Sequence, residues 1–214
     1  MERQMLRHTL DKLRRSNYLL ECNREVDPVY ELGGVLTYFR NRQPILFNRV
    51  KKSSMKVAGG LYGNRDIFYD LVNVNKENRL FKFMDAIANP KPYKVLPTGP
   101  VKENIIKGNI DLPEILPIPK FNERDSSSYI TAGVLVVRDP ETGKFFTSIR
   151  RMQVLGGNKI SVLIGSPKLT NDFLELEKRN KDLEVAIVLG YDAYFLLACQ
   201  VSSATYGVDK FEID

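Results

Sequence analysis

The sequence predicts an α+β protein with an N-terminal α/β domain over residues 1–110 and a β-rich domain over residues 111–214. Helically spaced apolar residues alternate with short apolar runs in the first half, whereas β-branched runs dominate the second. Seven prolines between residues 89 and 120 exclude a long helix there. The charge balance also changes sign: residues 1–110 hold 20 Lys and Arg against 11 Asp and Glu, and residues 111–214 hold 12 against 15.

In the first half, Leu6, Leu10 and Leu13 recur at helical spacing and predict an initial helix. An extended piece follows and ends at Asp27-Pro28, because the residue before a proline disfavours helical geometry. The other expected elements are helices over 31–38, 67–74 and 79–88, strands over 44–47 and 55–58, and a crossing segment with short strands over 89–120.

The second half predicts a strand over 129–138 and a return strand over 145–154. Asp139-Pro-Glu-Thr-Gly143 is the expected hairpin turn, since proline presets φ and glycine accepts a positive φ. A continuous apolar run over 185–189 predicts a fully buried strand. The remaining expected elements are a strand over 159–164 and helices over 169–180 and 194–200.

Composition limits the class of protein. Hydrophobic residues make up 43% and charged residues 27%, which excludes a disordered or collagen-like chain and a small disulfide scaffold. Basic residues throughout the first twenty positions exclude a signal peptide, and the apolar runs are too short to span a bilayer. We therefore expect a cytoplasmic protein with no membrane partner, in which Cys22 and Cys199 are free thiols.

Several functional classes are disfavoured by the residue types present. The cations are scattered among acids, and the one tight cluster, Lys51, Lys52 and Lys56, lacks the aromatic pattern of an RNA-binding sheet, so we expect no nucleic-acid partner. The single histidine, His8, lies in the first predicted helix and does not fit a zinc or triad spacing. The glycine-rich stretch 59–63 favours a turn over a phosphate contact, because it lacks the Lys-Ser/Thr pair of a P-loop.

The predicted strand with Ser148-Ile-Arg-Arg-Met152 is a candidate functional site because it holds two adjacent arginines. Side chains alternate along a strand, so Arg150 and Arg151 face opposite sides and one of them points inward if one face is core. An inward guanidinium needs an anion. That anion is a core carboxylate in one interpretation, and a phosphate or substrate carboxylate in the other.

Nearly the whole chain resembles the UbiD family of decarboxylases. The order and spacing of the shared motifs make the resemblance specific, although each motif alone is weak. They are Glu25-Val-Asp-Pro with Glu31-Leu, Pro44-Ile-Leu-Phe47, Gly99-Pro-Val101, Asp111-Leu-Pro with Leu116-Pro-Ile-Pro119, YITAGVLVVRDPETG at 129–143, SIRRMQV at 148–154, Gly157-Asn-Lys159, EVAIVLGYDAYFLLA at 184–198, and Gly207-Val-Asp209 with Phe211-Glu-Ile213.

The resemblance implies a fold, a reaction and a cofactor. The fold is an N-terminal α/β domain followed by a split β-barrel of the flavin-reductase-like type, only part of which this chain contains. The reaction is the reversible, non-oxidative decarboxylation of an aromatic or α,β-unsaturated acid. Prenylated FMN serves as the electron sink, and Mn²⁺ and K⁺ hold its phosphate in the family.

By the same resemblance, the catalytic arginine falls on Arg151, the last residue of the family's N-x-x-I-x-R pattern. Ser148, Ile149 and Arg150 fall on strand positions that line the flavin. Thr131 falls near the cofactor at the start of the preceding barrel strand.

The metal ligands of the family are not matched. Its metal-binding asparagine is replaced by Phe146, and an apolar ring cannot ligate a hard cation. No histidine stands near residues 166–168, where the family has one, and Lys168 is either a phosphate contact or an ordinary loop lysine. The expected aspartate-glutamate pair reads Asp209-Lys210. The resemblance therefore leaves Mn²⁺ and K⁺ without their usual ligands.

The third metal ligand, the catalytic glutamates and the oligomerisation domain of the family all fall beyond residue 214. We therefore expect an open sheet edge covered by a second copy, a partner chain or a rearranged fold; a truncated reading frame is an equal alternative. Three functional hypotheses follow: a UbiD-like carboxy-lyase component, a non-catalytic accessory subunit with a vestigial flavin site, and a simple flavin module. The expected partners are another copy or a second UbiD-like subunit, and a small acid as substrate.

Overall fold

The computed structural model describes residues 5–202 and 207–213, which form a mixed α+β fold. Its helices are Met5–Arg15 (α1), Glu31–Tyr38 (α2), Arg65–Leu71 (α3), Arg79–Ala88 (α4), Leu112–Ile115 (α5), Pro167–Lys178 (α6) and Ala193–Ala198 (α7). Its strands are Leu20–Val26 (β1), Ile45–Val50 (β2), Val57–Gly59 (β3), Tyr129–Arg138 (β4), Phe145–Gly156 (β5), Lys159–Val162 (β6) and Val185–Val188 (β7). No described helix has the length and apolar character needed to cross a membrane.

The chain divides into two compact units, each assembled from several stretches. The first comprises the chain up to Arg79 together with Leu96–Ile130 and Gln153–Ser161, and the second comprises Leu80–Val95, Thr131–Met152 and the chain from Val162 onward. The units therefore interleave along the sequence, whereas the two predicted domains are consecutive. The domain boundary near residue 110 stays a prediction.

The first unit is built on a three-stranded sheet of order β1-β2-β3. Strands β1 and β2 are parallel, and α2 makes the crossover that parallel neighbours require. Strand β3 returns antiparallel to β2. Helix α2 packs on this sheet and closes a core of six buried apolar residues: Val26, Leu32, Leu36, Ile45, Phe47 and Val50.

Side-chain and backbone contacts fix the ends of elements in the first unit. The Lys12 ammonium of α1 donates to the carbonyls of Asp70 and Leu71, which satisfies acceptors at the end of α3. A side chain at Gly60 or Gly63 would collide with the backbone of the 41–43 loop, so these glycines allow close chain packing. The structure thus agrees with the turn interpretation of 59–63.

The segment over 89–120 differs from its prediction. It is described throughout and contains no strand, only α5, a short 3-10 helix at Pro100–Lys102 and one isolated bridge between Val29 and Lys120. The expectation of short strands was therefore wrong. Closely spaced prolines remove the N–H groups that a ladder needs, and this explains the irregular path.

The four strands β4 to β7 form a second sheet of order β6-β5-β4-β7. The predicted hairpin turn joins β4 to β5: the N–H of Gly143 donates to the carbonyl of Asp139, and Gly143 has a φ of 71°. Strand β4 buries Val134 and Val137, which are 0% and 1% exposed. This central strand, with its exact predicted bounds of 129–138, confirms the β-rich character of the second half.

Strand β7 is less buried than its sequence predicts. Its apolar run predicts a fully buried strand, but Val185 is 51% exposed and Ala186 is also exposed. β7 stands at the end of the strand order and pairs antiparallel with β4 alone. The apolar run therefore predicted the strand correctly but predicted its burial wrongly.

Candidate functional site

Strand β5 carries the predicted arginines, and its neighbouring residues anchor it in the second unit. Thr147 and Met152 are 2% and 0% exposed. The Thr147 hydroxyl donates to the Cys199 carbonyl over 3.5 Å. Because these flanking residues are packed, the backbone between them holds Ser148, Ile149 and both arginines in fixed positions on the strand.

The two arginines differ as the strand alternation predicts. Arg151 is exposed and Arg150 is half-buried. Arg150 forms no ion pair among the described residues, and its buried Nε has no hydrogen-bond partner there. The interpretation in which the inward arginine pairs with a core carboxylate is therefore not supported. The other predicted cofactor residues of this sheet, Ser148 and Ile149, are half-buried, and Thr131 on β4 is exposed.

Lys168 binds carboxylates rather than standing alone in a loop. It lies in the first turn of α6, and its ammonium is 2.9 Å from Asp139 and 3.1 Å from Asp172. These contacts raise the pKa of Lys168, mainly through the hydrogen bond with Asp139. The structure places this predicted phosphate contact beside Asp139 in the β4–β5 turn, and no hydrogen bond or ion pair among the described residues joins its ammonium to β5.

Asp139 is a buried carboxylate, although its sequence pattern predicts only a turn residue. It is 6% exposed, and burial alone would raise its pKa. The Lys168 ammonium and the N–H groups of Glu141 and Thr142 outweigh that effect and hold the pKa well below its usual value. The Asp139-x-x-x-Gly143 turn pattern is typical of the backbone contacts that Asp139 makes. Nothing in the sequence identified Lys168 as its partner.

The position of the family's metal ligand is filled by an aromatic–cation contact. The Lys210 ammonium lies 5.3 Å from the centre of the Phe146 ring and donates to the carbonyls of Thr147 and Cys199 over 2.9 and 3.0 Å. Lys210 is 6% exposed, and burial lowers its pKa. No three His, Cys, Asp or Glu residues of the described chain form a group that could hold a metal. These residues do not fit Mn²⁺.

The lysine cluster found in the sequence borders a separate cleft in the first unit. The cleft has a volume of about 310 Å³, and Lys51, Lys52 and Asp27 stand beside a wall of prolines and aliphatic residues. Lys51 is paired with Asp27 over 2.7 Å, which lowers the pKa of the carboxyl and raises that of the lysine. Part of the cluster's charge is therefore neutralised within the fold.

Known sequences match this chain over almost its full length. The family model described as the 3-octaprenyl-4-hydroxybenzoate carboxy-lyase Rift-related domain matches residues 94–214. The model of the N-terminal domain of the same carboxy-lyase matches residues 10–87. An anhydromevalonate phosphate decarboxylase of Methanothermobacter thermautotrophicus is 32% identical over 97% of this chain and 47% of its own length. A phenolic acid decarboxylase of Sedimentibacter hydroxybenzoicus is 26% identical over 86% of this chain and 42% of its own length.

Solved structures agree with the sequence relatives. An evolved dimeric form of the UbiD-class enzyme HmfF from Pelotomaculum thermopropionicum, in complex with prFMN, has a TM-score of 0.92 and 38% identity, over 99% of this chain and 50% of that one. The same enzyme in complex with FMN has a TM-score of 0.91 and 38% identity, over 98% and 47%. The chain thus spans about half the length of the proteins it matches. The two family models, together with these relatives, show that the chain belongs to the UbiD family.

Proposed function

We propose that this chain is the carboxy-lyase component of a UbiD-family decarboxylase that acts on an aromatic or α,β-unsaturated acid with prenylated FMN. The observation that carries the proposal is the Ser148–Arg151 stretch of β5, which presents two guanidinium groups on opposite sides of one packed strand. Family membership and the solved HmfF complexes with prFMN and FMN support the choice of cofactor.

In this proposal, Arg151 orients the substrate. Its guanidinium is exposed on β5, and an arginine fork can bind a carboxylate through two parallel hydrogen bonds. Thr131, Ser148 and Ile149 line the flavin. Prenylated FMN, when bound, supplies the electron sink for loss of CO₂. The chain's own task is to hold the acid group in one orientation, and this lowers the entropic part of the barrier.

Proton transfer is assigned to residues outside this stretch of sequence. The match covers 47–50% of the relatives' lengths, and we propose that a homologous copy or a second UbiD-like subunit completes the site. The exposed apolar residues at the ends of the second sheet are consistent with such a partner: Leu163 is 82% and Val185 51% exposed. A vanillic acid decarboxylase of Sedimentibacter hydroxybenzoicus that shares the fold at 20% identity is described as a complex with a second component.

A second candidate function is a non-catalytic accessory subunit of the same family. The Phe146–Lys210 contact favours it, because an aromatic ring and a buried ammonium stand where the family binds its metal. In that case the flavin site is vestigial, and Arg151 has no role in turnover.

One experiment separates these functions. The chain is co-expressed with a flavin prenyltransferase and, in parallel, with a full-length relative, and its absorbance, bound flavin mass and decarboxylation of cinnamate-like and hydroxybenzoate-like acids are measured. The carboxy-lyase component binds prenylated FMN, and Arg151→Ala lowers turnover at least about 100-fold, as expected from a lost positioning contact. The matched control Arg179→Ala, an exposed arginine at the end of α6, keeps full activity. Colourless protein in both preparations, or activity that survives Arg151→Ala, would contradict the assignment.

A further inference from the structure

We propose that the Lys210 ammonium is a built-in cation that joins the start of β5 to the end of α7 and makes this junction independent of a bound metal ion. This role is separate from flavin binding and from catalysis. Three features of the second unit support it: the acceptors around the ammonium, the anchoring of the backbone that carries it, and the engagement of the buried carboxylates by other donors.

The ammonium is surrounded by the groups that bind a monovalent cation. Lys210 is 6% exposed, and its Nζ donates to the carbonyls of Thr147 and Cys199 over 2.9 and 3.0 Å. The centre of the Phe146 ring lies 5.3 Å from Nζ, so the ring presents its negative face to the charge. This ring stands at the position of the family's metal-binding asparagine. None of the ion pairs among the described residues includes Lys210, so carbonyl oxygens and a ring provide the contacts that a buried charge requires.

The backbone next to Lys210 is anchored on the same two elements that its ammonium joins. The preceding residue, Asp209, accepts hydrogen bonds from the N–H groups of Phe145 and Phe211 over 3.5 and 3.0 Å. The Phe211 ring lies against the rings of Phe145 on β5 and Phe195 on α7, with centres 5.2 and 5.8 Å away. The short 3-10 turn that begins at Lys210 is therefore held in place by contacts other than those of the ammonium itself.

The acceptor on α7 explains why a cation is needed at this point. Cys199 is the C-cap residue of α7, and the carbonyls at a helix end lack the N–H of a following turn. The Lys210 ammonium and the Thr147 hydroxyl both donate to this carbonyl. Because the ammonium also binds the Thr147 carbonyl, it links α7 to the part of β5 that directly precedes Ser148–Arg151. Lys210 is thus a positioning residue for the strand that carries both arginines.

The buried carboxylates of this unit are engaged by other donors. Asp139 binds the Lys168 ammonium, Asp192 accepts from the N–H of Phe195, and Asp209 caps the 3-10 turn. These three are the buried acidic residues of the described chain. Mn²⁺ prefers hard oxygen ligands such as carboxylates, and no three His, Cys, Asp or Glu residues of the described chain are grouped to hold a metal. A tethered ammonium needs only the two carbonyls and the ring.

Chemical rescue tests the role of the ammonium. Lys210→Ala leaves a space that propylammonium matches in length, whereas Lys210→Met keeps an apolar stem, lacks the ammonium and leaves no such space. Thermal unfolding of both variants and of the wild-type chain is followed by circular dichroism in propylammonium and in tetramethylammonium, a cation of equal charge without N–H donors. Lys181→Ala, at an exposed lysine, is the matched control, and each protein is also measured in EDTA and in Mn²⁺.

We expect both Lys210 variants to lower Tm by about 4–10 °C, the shift expected in a chain of this size from the loss of hydrogen bonds to a charged donor. Propylammonium should raise the Tm of Lys210→Ala toward the wild-type value as its concentration increases, because it binds the folded state. The Tm of Lys210→Met and Lys181→Ala should not respond beyond the change seen in wild type. The wild-type Tm should be the same in EDTA and in Mn²⁺.

Four results would overturn the proposal. They are an unchanged Tm in Lys210→Met, no response of Lys210→Ala to propylammonium, an equal response to tetramethylammonium, and a wild-type Tm that rises with Mn²⁺. The first would show that the apolar stem alone stabilises the junction, and the last that a metal ion still binds. If Lys210→Ala is unfolded, its circular dichroism spectrum in each cation replaces the Tm comparison. Recovery of the folded spectrum in propylammonium alone then supports the proposal, and no recovery contradicts it.

Discussion

The edge strands β1 and β7 are both exposed, but they expose opposite kinds of side chain. Most exposed residues of β1 are polar or charged, and Arg24 and Glu21 form ion pairs with Glu31 and Arg14. Strand β7 consists only of Val, Ala, Ile and Val. Natural sheets protect their edges with charged residues, so β1 is a protected edge, whereas β7 lacks this protection.

The two sheets also differ in how much of their apolar side chains is removed from water. In the first sheet, Phe47 and Ile45 lie on the central strand β2 and are both 0% exposed. In the second sheet, Val185 is 51% exposed on the edge strand β7. Apolar residues therefore contribute unequally to stability, because free energy is gained only from apolar area removed from water.

The largest expected effect on the free energy of unfolding comes from a substitution in the buried core of the first sheet. Phe47→Ala should lower the free energy of unfolding by about 3–5 kcal/mol, since it removes a buried ring and leaves a cavity under α2. The matched variant Val185→Ala should change it by no more than about 0.5 kcal/mol. Urea unfolding followed by circular dichroism measures both. Equal losses in the two variants would show that β7 is buried in the isolated protein, contrary to the structure.

The contrast also explains which parts of the fold were predictable. The bounds of α2, α4 and β4 agree with their predictions, because side-chain periodicity and turn residues act locally. The burial of β7 was mispredicted, since a continuous apolar run indicates a strand but does not indicate whether that strand is central or at the edge of its sheet. Strand order, which decides the matter, depends on pairing between distant residues.

The second sheet is stabilised in part by a buried polar contact. This contribution should depend on pH. Asp139→Asn should destabilise the protein by about 1–3 kcal/mol near pH 7, because it weakens a buried hydrogen bond to a charged group. The folded-state pKa of Asp139 is lowered, so its contribution is complete above the ordinary value of 3.8 and is lost as the pH falls below it. Wild type and variant should therefore converge in acid.

Urea unfolding between pH 2 and pH 7 follows the onset of this convergence. Asp182→Asn is the control, since Asp182 is exposed and makes none of these contacts. A difference between wild type and Asp139→Asn that stays constant over the whole range would show that the carboxylate charge is not the source of the stabilisation.

The candidate site was predictable only in its local part. Strand alternation alone separated Arg150 from Arg151, and the structure confirms that their burial differs. The partners of Lys168 and Lys210 could not be predicted, since Asp139 lies 29 residues from Lys168 and Phe146 lies 64 residues from Lys210 in the sequence. Such contacts follow from tertiary packing, which no local pattern encodes. The catalytic role of Arg151 stays a prediction.

The smallest effect on stability concerns β7, and it decides what the exposed edge is for. Val185→Lys should change the free energy of unfolding by no more than about 0.5 kcal/mol, because the side chain is already half in water. A lysine on an edge strand opposes pairing with another strand, so the variant should associate less, with itself or with a UbiD-like partner. Sedimentation velocity over a concentration series measures the association. Tyr38→Lys is the matched control, since Tyr38 is 82% exposed on α2 in the first unit. If both variants associate as wild type does, the exposed residues of β7 are not an interface. The exposure of apolar residues on this edge strand would then need another explanation.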